Sequence, residues 1–217
     1  MDSKHYYISD AKFLKLDIPV PYQAMLKEAQ ALKHRFTEHR NPEGKHSGWK
    51  SLALHGLGES LHENWNEYGY TSALDAAKDF KWTPAANECP TTMQFLRNIF
   101  PCKRYGRVRL MLLEAGGWIG PHNDTTHRLL ENINISLSNP QSCMWNWGDG
   151  ESLFMEPGGA YAMNISYEHS IVNNSTEDRY HLIVARHDST DEWRTLIDQA
   201  SAKASVTGKY VYHEIAV

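Results

Sequence analysis

The chain has 217 residues, of which 41% are hydrophobic and 22% are charged, so it can bury a core without disulfide staples. Its formal net charge is −4 and its basic residues are scattered, which argues against a nucleic-acid partner. No apolar run approaches the roughly 20 residues of a membrane-spanning helix, and residues 1–10 do not resemble a signal peptide, so no membrane attachment is expected.

The N-terminal half shows a mixed pattern of short strands and helices. Alternating apolar residues over 13–20 predict a strand, and apolar spacings of three and four over 22–39 predict a helix. In chain order, the predicted elements are a strand at 13–20, a helix at 22–39, a loop at 40–48, a strand at 49–57, a helix at 70–81 and a threonine-capped helix at 93–100.

The C-terminal half changes to short strands separated by turns. Residues 108–113 form a dense apolar run and residues 132–138 alternate between polar and apolar, and both patterns are typical of strands. The predicted elements are a strand at 108–113, a turn at Ala115-Gly116-Gly117, strands at 132–138, 160–165 and 180–185, turns at 148–150 and 157–159, and a helix at 190–204.

Short strands with turns between them favour an antiparallel double-sheet barrel. The predicted fold is therefore mostly β with flanking α: a double-stranded β-helix, the cupin-like jelly roll, with N-terminal and C-terminal helices. We expect a single domain over residues 1–217, with the jelly-roll core at about 105–188, because no linker divides the chain. The three cysteines form no Cys-x-x-Cys pair, so we interpret them as reduced thiols of a cytoplasmic protein.

A His-x-Asp pair and a distant histidine have the spacing of a metal site. His122 and Asp124 follow the predicted turn, and His169 comes 47 residues after His122. Residues i and i+2 of an extended segment project to the same side, and strand pairing in a barrel can add the third ligand. Two imidazoles and one carboxylate leave open positions on an octahedral ion, which suits Fe(II) with an oxoacid and O2. We therefore predict that His122, Asp124 and His169 hold iron and form the catalytic centre.

Arg179 follows His169 by ten residues, at the start of a predicted strand. If 2-oxoglutarate chelates the iron through its keto-acid end, its distal carboxylate needs a buried cation with a planar fork, which arginine provides better than lysine. The alternative is purely structural, with His122 at a turn, Asp124 opening a loop and His169 filling the core. His-x-Asp alone is a weak signal, but the complete set with its glycines and strand-end placement is far more specific.

Four segments add a further signal: Arg109-Leu110-Met111-Leu112-Leu113-Glu114-Ala115-Gly116-Gly117-Trp118-Ile119-Gly120-Pro121-His122, Asn134-Ile135-Ser136-Leu137-Ser138-Asn139-Pro140, Glu168-His169-Ser170-Ile171-Val172-Asn173 and Arg179-Tyr180-His181-Leu182-Ile183-Val184. Together they resemble the aspartyl/asparaginyl beta-hydroxylase family of Fe(II)- and 2-oxoglutarate-dependent oxygenases. They are also similar to bacterial cis-proline hydroxylases with the same fold. The resemblance is clear over residues 107–188, faint in the N-terminal third and absent from the tail.

The resemblance implies iron on His122 and His169, with the distal carboxylate of 2-oxoglutarate on Arg179. It also implies that a polar residue on the strand after the first ligand contacts the other carboxylate. That position corresponds to Asn134, with Asn132 beside it on the same strand face, and a solvated strand face is the alternative for both. The expected reaction is hydroxylation of an unactivated C–H bond of an amino acid or of an aspartyl- or asparaginyl-type residue, which consumes O2 and releases succinate and CO2.

Asp124 marks a departure from part of the family. The vertebrate aspartyl hydroxylases lack this carboxylate ligand, so the chain looks more like the branch that hydroxylates amino acids. The carboxylate also argues against a halogenase, in which a small residue leaves room for chloride. The expected partner is therefore a small-molecule or peptide amino-acid substrate, whose identity the sequence leaves open together with the oligomeric state.

Two residues outside the metal motif are predicted to contact the substrate. Arg128, in the loop after the His-x-Asp pair, is placed to receive a substrate carboxylate, and Trp145 is predicted to line the pocket. An exposed loop arginine and a packed core tryptophan are the alternatives. The roles of His127 and His181 stay open, although His181 shares a strand face with Arg179.

Two functions of other classes remain as alternatives. A cupin-like metalloenzyme that does not use 2-oxoglutarate usually carries more histidine ligands and would give Arg179 no task. A non-catalytic jelly-roll binding module would need no iron.

Overall fold

Antiparallel strands make up most of the fold in the computed structural model, which describes residues 4–39, 44–60 and 65–213. The strands are β1 Lys4–Ser9, β2 Phe13–Leu16, β3 Thr37–Glu38, β4 His46–Gly56, β5 Lys81–Trp82, β6 Tyr105–His122, β7 Leu130–Ser138, β8 Cys143–Trp147, β9 Ser152–Leu153, β10 Ala160–Asn164, β11 His169–Asn173, β12 Arg179–Arg186 and β13 Gly208–His213. The helices are α1 Tyr22–Ala31, α2 Ala73–Ala77, α3 Pro84–Asn87, α4 Pro90–Asn98 and α5 Asp191–Ala204, with 3₁₀ turns at Lys33–Arg35 and Trp65–Tyr68.

The large sheet curls into a barrel of two layers. Its order is β2-β10-β7-β12-β6-β11-β8-β9, and β4 pairs with β6 along the other edge of that strand. We call β2, β10, β7, β12 and the first half of β6 the major layer, and the second half of β6 with β11, β8 and β9 the minor layer. From β7 to β12 the chain crosses repeatedly between the two layers, with the hairpin β8–β9 in the minor layer, as in a jelly roll. The predicted double-stranded β-helix with flanking helices is therefore confirmed.

β6 belongs to both layers of the barrel. In its first half, Leu113 pairs with Arg179 of β12. Further along the same strand, His122 pairs with His169 of β11. One strand therefore fixes the position of Arg179 in the major layer and of the two histidines in the minor layer.

A glycine bulge makes this change of layer possible. The predicted turn at Ala115-Gly116-Gly117 is wrong, because the chain continues there as one strand whose register with β4 shifts. Gly116 has a φ of +72°, and a Cβ on Gly117 would lie 2.8 Å from the Ser47 carbonyl oxygen and 2.9 Å from that of Glu114. Glycine pairs are signals of both turns and bulges, and pairing with β4 selects the bulge.

Two apolar clusters cover the two faces of the major layer. The first lies between this layer and helices α1, α4 and α5 and includes Met25, Phe95, Trp193 and Ile197. The second fills the barrel and includes Met111, Leu113, Trp145, Trp147, Met155 and Tyr161. Directly paired residues of antiparallel strands point to the same face, so His181, which pairs with Met111, also points into the barrel.

The N-terminal helices are shorter than predicted. The helix over 22–39 ends at Ala31, and Phe36 takes an extended conformation with its ring 6.1 Å from that of Tyr180. The helix predicted over 70–81 is reduced to α2. The predicted threonine cap of α4 is wrong, because the Glu28 carboxylate accepts the N–H groups of Thr91 and Thr92 instead.

Several strands were not predicted, among them β8 and β11 of the minor layer, and the strand predicted at 13–20 ends at Leu16. β1 and β13 were not predicted, and they pair with each other as a separate two-stranded sheet. β4 begins at His46, inside the predicted loop at 40–48, of which residues 40–43 lie outside the described residues. The strands predicted at 132–138, 160–165 and 180–185 and the helix at 190–204 are present within two residues at each end.

The cysteines form no disulfide, as the sequence suggested, and all three are buried. Cys89, Cys102 and Cys143 are all free, and burial raises the pKa of each thiol, which disfavours the reactive thiolate. In the part of the chain that the structure describes, no helix combines the length and apolarity needed to cross a membrane.

The bulge in β6 can be tested by filling it. Gly117→Ala should reduce the free energy of unfolding by about 1–3 kcal/mol, because two backbone oxygens cannot swing away from the new methyl group. Urea unfolding followed by circular dichroism measures the change. Gly148→Ala is the matched control, since its Cβ would meet only the flexible Glu168 side chain. Equal stability of the two variants would show that the bulge tolerates a side chain.

Candidate active site

Two neighbouring strand ends bring the predicted metal ligands together. His122 ends β6, His169 begins β11, and their ring centroids are 4.3 Å apart. The Asp124 N–H donates to the Ile165 carbonyl oxygen at 3.0 Å, which folds the loop after β6 towards the end of β10. As a result, the Asp124 carboxylate oxygens lie 3.8 Å from His122 Nε2 and 3.8 Å from His169 Nε2.

Backbone carbonyls orient both imidazoles. His122 Nδ1 lies 2.8 Å from the Gly120 carbonyl oxygen, and His169 Nδ1 lies 2.9 Å from that of Tyr167. A carbonyl oxygen only accepts, so each Nδ1 carries its proton. Nε2 of each ring then faces Asp124, and in a neutral imidazole with its proton on Nδ1 this nitrogen carries the lone pair that a metal-binding histidine needs.

The ligand set fits a divalent ion such as Fe(II). All three ligand atoms lie within 4.8 Å of one another. Metal–ligand distances of about 2.0–2.2 Å place adjacent ligand atoms about 3 Å apart, so the side chains need to converge by roughly 1 Å. His169 is 3% exposed, whereas the side chains of His122 and Asp124 are 17% and 27% exposed. Two nitrogens and one oxygen therefore approach from the protein side and leave other coordination positions open.

Trp145 packs flat against His169, the buried member of the predicted ligand set. Its ring lies 4.5 Å from that of His169 with an interplanar angle of 12°. It projects from β8, which pairs with β11 on the side away from β6. Among the described residues its indole Nε1 has no hydrogen-bond partner, so a donor is available to a bound molecule. Trp145 thus lies beside the metal centre, and its contact with substrate stays a prediction.

β4 contributes two aromatic residues that the sequence analysis missed. The rings of His46 and Trp49 lie 5.8 and 6.4 Å from that of His122. His46 Nδ1 also accepts the Gly120 N–H at 3.2 Å, next to the carbonyl that orients His122. His46 was assigned to a loop because glycine, proline and charge dominate that stretch. Residues 44–48 show no apolar alternation, so no local signal marked this start of the strand.

Arg179 is buried among neutral groups. Its Nε donates to Asn139 Oδ1 at 2.9 Å, its Nη1 to His181 Nδ1 at 3.1 Å and its Nη2 to Met155 Sδ at 3.3 Å. Burial lowers the pKa of Arg179, but a guanidinium stays protonated in proteins. None of these partners among the described residues is a carboxylate, and a buried charge without a counter-charge is unfavourable. The site therefore fits an anionic ligand such as the distal carboxylate of 2-oxoglutarate.

The two predicted asparagines of β7 point towards the barrel. Asn134 is 2% exposed and pairs with Tyr161 and Ile183, whose side chains belong to the inner cluster. Its Oδ1 has no hydrogen-bond partner within the described chain. Asn132 is half-buried and pairs with Met163 one step along the same face. The alternative that Asn134 lies on a solvated strand face is therefore wrong. For both asparagines, contact with a carboxylate of 2-oxoglutarate stays a prediction.

Arg128 lies at the rim of the site. It forms an ion pair with Asp10, its guanidinium lies 5.8 Å from the Tyr167 ring centroid, and its side chain is 56% exposed. The Tyr167 carbonyl orients His169, so Arg128 stands near the metal centre but outside the barrel. His127 is exposed beside it. The substrate role of Arg128 stays a prediction, and no role emerges for His127.

Several solved structures are similar to this chain at low identity. A Pseudomonas putida prolyl-4-hydroxylase is 12% identical, with a TM-score of 0.44, over 82% of this chain and 94% of that one. A prolyl hydroxylase in complex with a hypoxia inducible factor oxygen degradation domain peptide fragment from Trichoplax adhaerens is 12% identical, with a TM-score of 0.48, over 86% and 87%. A Burkholderia pseudomallei oxidoreductase of the 2OG-Fe(II) oxygenase family is 13% identical, with a TM-score of 0.47, over 83% and 88%.

The sequence of the chain matches one family over most of its length. No curated protein matches it. The profile described as Aspartyl/Asparaginyl beta-hydroxylase matches residues 20–188, well over half of the chain. Fe(II), 2-oxoglutarate and O2 are the cofactors implied, and the metal ligands together with the buried charge of Arg179 fit the first two. The chain belongs to the aspartyl/asparaginyl beta-hydroxylase family of Fe(II)- and 2-oxoglutarate-dependent oxygenases.

Proposed function

We propose that this protein hydroxylates an unactivated C–H bond of an amino acid, or of an aspartyl- or asparaginyl-type residue. The observation that carries the proposal is the combination, in one barrel, of a three-ligand metal centre with a buried arginine that neutral groups surround. A cupin-like enzyme without 2-oxoglutarate would have no use for that buried charge. A binding module would need neither the charge nor the oriented histidines.

The protein's own residues would hold and orient the reactants. His122, Asp124 and His169 would bind the metal, and the carbonyl contacts of both imidazoles would keep Nε2 free for it. Arg179 would bind the distal carboxylate of 2-oxoglutarate, and Asn134 would contact the other carboxylate. Bound at this site, Fe(II) supplies O2 activation coupled to oxidative decarboxylation of 2-oxoglutarate to succinate and CO2.

The substrate would approach from the exposed side of the metal centre. Asp124 is the most exposed ligand, and Arg128 stands at that rim as a cation for a carboxylate. Arg128 now bonds Asp10, but an exposed ion pair contributes little, so a substrate carboxylate can replace Asp10. Trp145 would line the pocket beside His169.

The metal assignment predicts a selective loss of metal binding. Asp124→Ala should weaken Mn(II) binding by more than the roughly 10- to 100-fold that loss of an outer hydrogen-bond partner causes, because a direct ligand is removed. It should also abolish hydroxylation without changing the circular dichroism spectrum. Isothermal titration with Mn(II) measures the affinity. Asp149→Ala, at an exposed aspartate on a surface turn, is the control, and wild-type affinity in Asp124→Ala would refute the assignment.

The co-substrate assignment predicts a change in 2-oxoglutarate binding alone. Arg179→Met should raise the dissociation constant of 2-oxoglutarate by about 10- to 100-fold, because hydrogen bonds to a charged group are lost. Metal affinity should stay unchanged. Anaerobic titration of the Fe(II) protein with 2-oxoglutarate, followed through the visible charge-transfer band, measures it. Arg128→Met should titrate like wild type, and a band equally strong in Arg179→Met would exclude this role.

The substrate assignment predicts that Arg128 acts on the substrate alone. A panel of free amino acids and of peptides containing aspartate or asparagine is tested for succinate release and for gain of one oxygen atom by mass spectrometry. We expect turnover of an amino acid with a free carboxylate, and Arg128→Met should raise its KM by roughly tenfold, the effect of losing one charged hydrogen bond. Amidation of that carboxylate should do the same. An unchanged KM in both tests would remove Arg128 from the site.

A further inference from the structure

Asn139 holds the guanidinium of Arg179 in a fixed orientation. It lies in the bend after β7 and is buried, and its Nδ2 donates to the Cys143 carbonyl oxygen at 2.9 Å. Because that carbonyl only accepts, the amide NH2 must face Cys143 and Oδ1 must face Arg179 Nε. The amide is therefore an acceptor for Arg179 that carries no charge.

His181 is a second neutral acceptor, from the same strand as Arg179. Arginine can only donate, so the Nδ1 of His181 that faces Arg179 Nη1 must be unprotonated, and the ring proton lies on Nε2. His181 is 3% exposed. Burial, followed by the charges of Arg179 and Arg109, holds the pKa of His181 well below its usual value, so the ring stays neutral.

Because its neighbours are neutral, the charge of Arg179 is not compensated. A carboxylate at either position would form a strong charge-assisted pair with the guanidinium and would neutralise it. An amide, an imidazole and the Met155 thioether fix its orientation without neutralising it. We infer that Asn139 and His181 are positioning residues that form a neutral cradle, which keeps the Arg179 charge available and thereby selects a 2-oxoacid with a distal carboxylate.

This inference rests on the proposed role of Arg179 as the co-substrate anchor. A comparison of the affinities for two oxoacids tests the cradle and the anchor role separately. 2-Oxoglutarate carries the distal carboxylate, whereas 2-oxopentanoate has the same keto-acid end and no distal charge. Affinities for both are measured by isothermal titration of the Mn(II)-loaded full chain without O2, so no turnover or substrate is needed.

Asn139→Asp is the decisive variant, because it keeps the shape of the side chain and adds one negative charge beside Arg179. We expect the dissociation constant of 2-oxoglutarate to rise about 10- to 100-fold, the effect of losing hydrogen bonds to a charged group. The affinities for 2-oxopentanoate and for Mn(II) should not change. Asn146→Asp is the matched control, since Asn146 alternates with the inward-facing Trp145 and Trp147 on β8 and faces away from the cradle.

His181 provides a second test that does not depend on the folding of Asn139→Asp. His181→Leu removes the acceptor and should weaken 2-oxoglutarate binding by roughly tenfold. His181→Asn places an amide oxygen near the position of Nδ1 and should restore most of the affinity. A purely structural role would lower the unfolding temperature of these variants without changing the ratio of the two oxoacid affinities.

The outcomes distinguish a failure of the neutral cradle from a failure of the proposed role of Arg179. If wild type prefers 2-oxoglutarate and Asn139→Asp keeps that preference in full, the neutral cradle is wrong and the anchor role of Arg179 stands. If wild type binds both oxoacids equally, the anchor role fails and the cradle fails with it. A preference that Asn139→Asp and His181→Leu lose, and that His181→Asn retains, establishes the cradle.

Discussion

The path of β6 is the constraint on which the site depends. Leu113 of this strand pairs with Arg179, and His122, nine residues later, pairs with His169. In a straight strand these two positions would be about 30 Å apart, since each residue advances about 3.3 Å. The glycine bulge between them turns the strand from the major layer into the minor layer. β6 therefore carries His122 and, through its two pairing partners, positions both His169 and Arg179.

Charge balance explains why the arginine has neutral neighbours. A divalent metal with Asp124 carries one net positive charge, and Arg179 adds a second. A dicarboxylate oxoacid brings two negative charges, which would offset these two. An acidic residue at Asn139 or His181 would already form a charge-assisted pair with Arg179, and the oxoacid would have to compete with it. The neutral cradle therefore leaves the buried charge of Arg179 free to bind an anion that can dissociate, instead of a permanent ion-pair partner.

The residues that sequence reasoning found belong to a recognisable motif of residue types and spacing. His122 and Asp124 were found from their His-x-Asp spacing, although the bond from the Asp124 N–H to Ile165 is what brings the carboxylate to the histidines. Residues outside that motif, which only distant pairing brings to the site, were missed: His46 joins it through the register of β4 with β6, and Asn139 through the segment after β7. The β1–β13 pair also escaped, because nothing local signals that the two ends of a chain will meet.

The three ligands differ in exposure, so the site has a buried side and a solvent-facing side. His169 is buried, His122 is intermediate and Asp124 is the most exposed. Arg179 is also buried in the barrel, so its proposed role would place the co-substrate on the buried side of the metal site. The exposed side is bordered by the loop that carries Arg128 and by the N-terminal segment that carries Asp10. In the proposed function, strands would therefore hold the metal and the co-substrate, whereas substrate choice would depend on loop residues from segments far apart in the sequence.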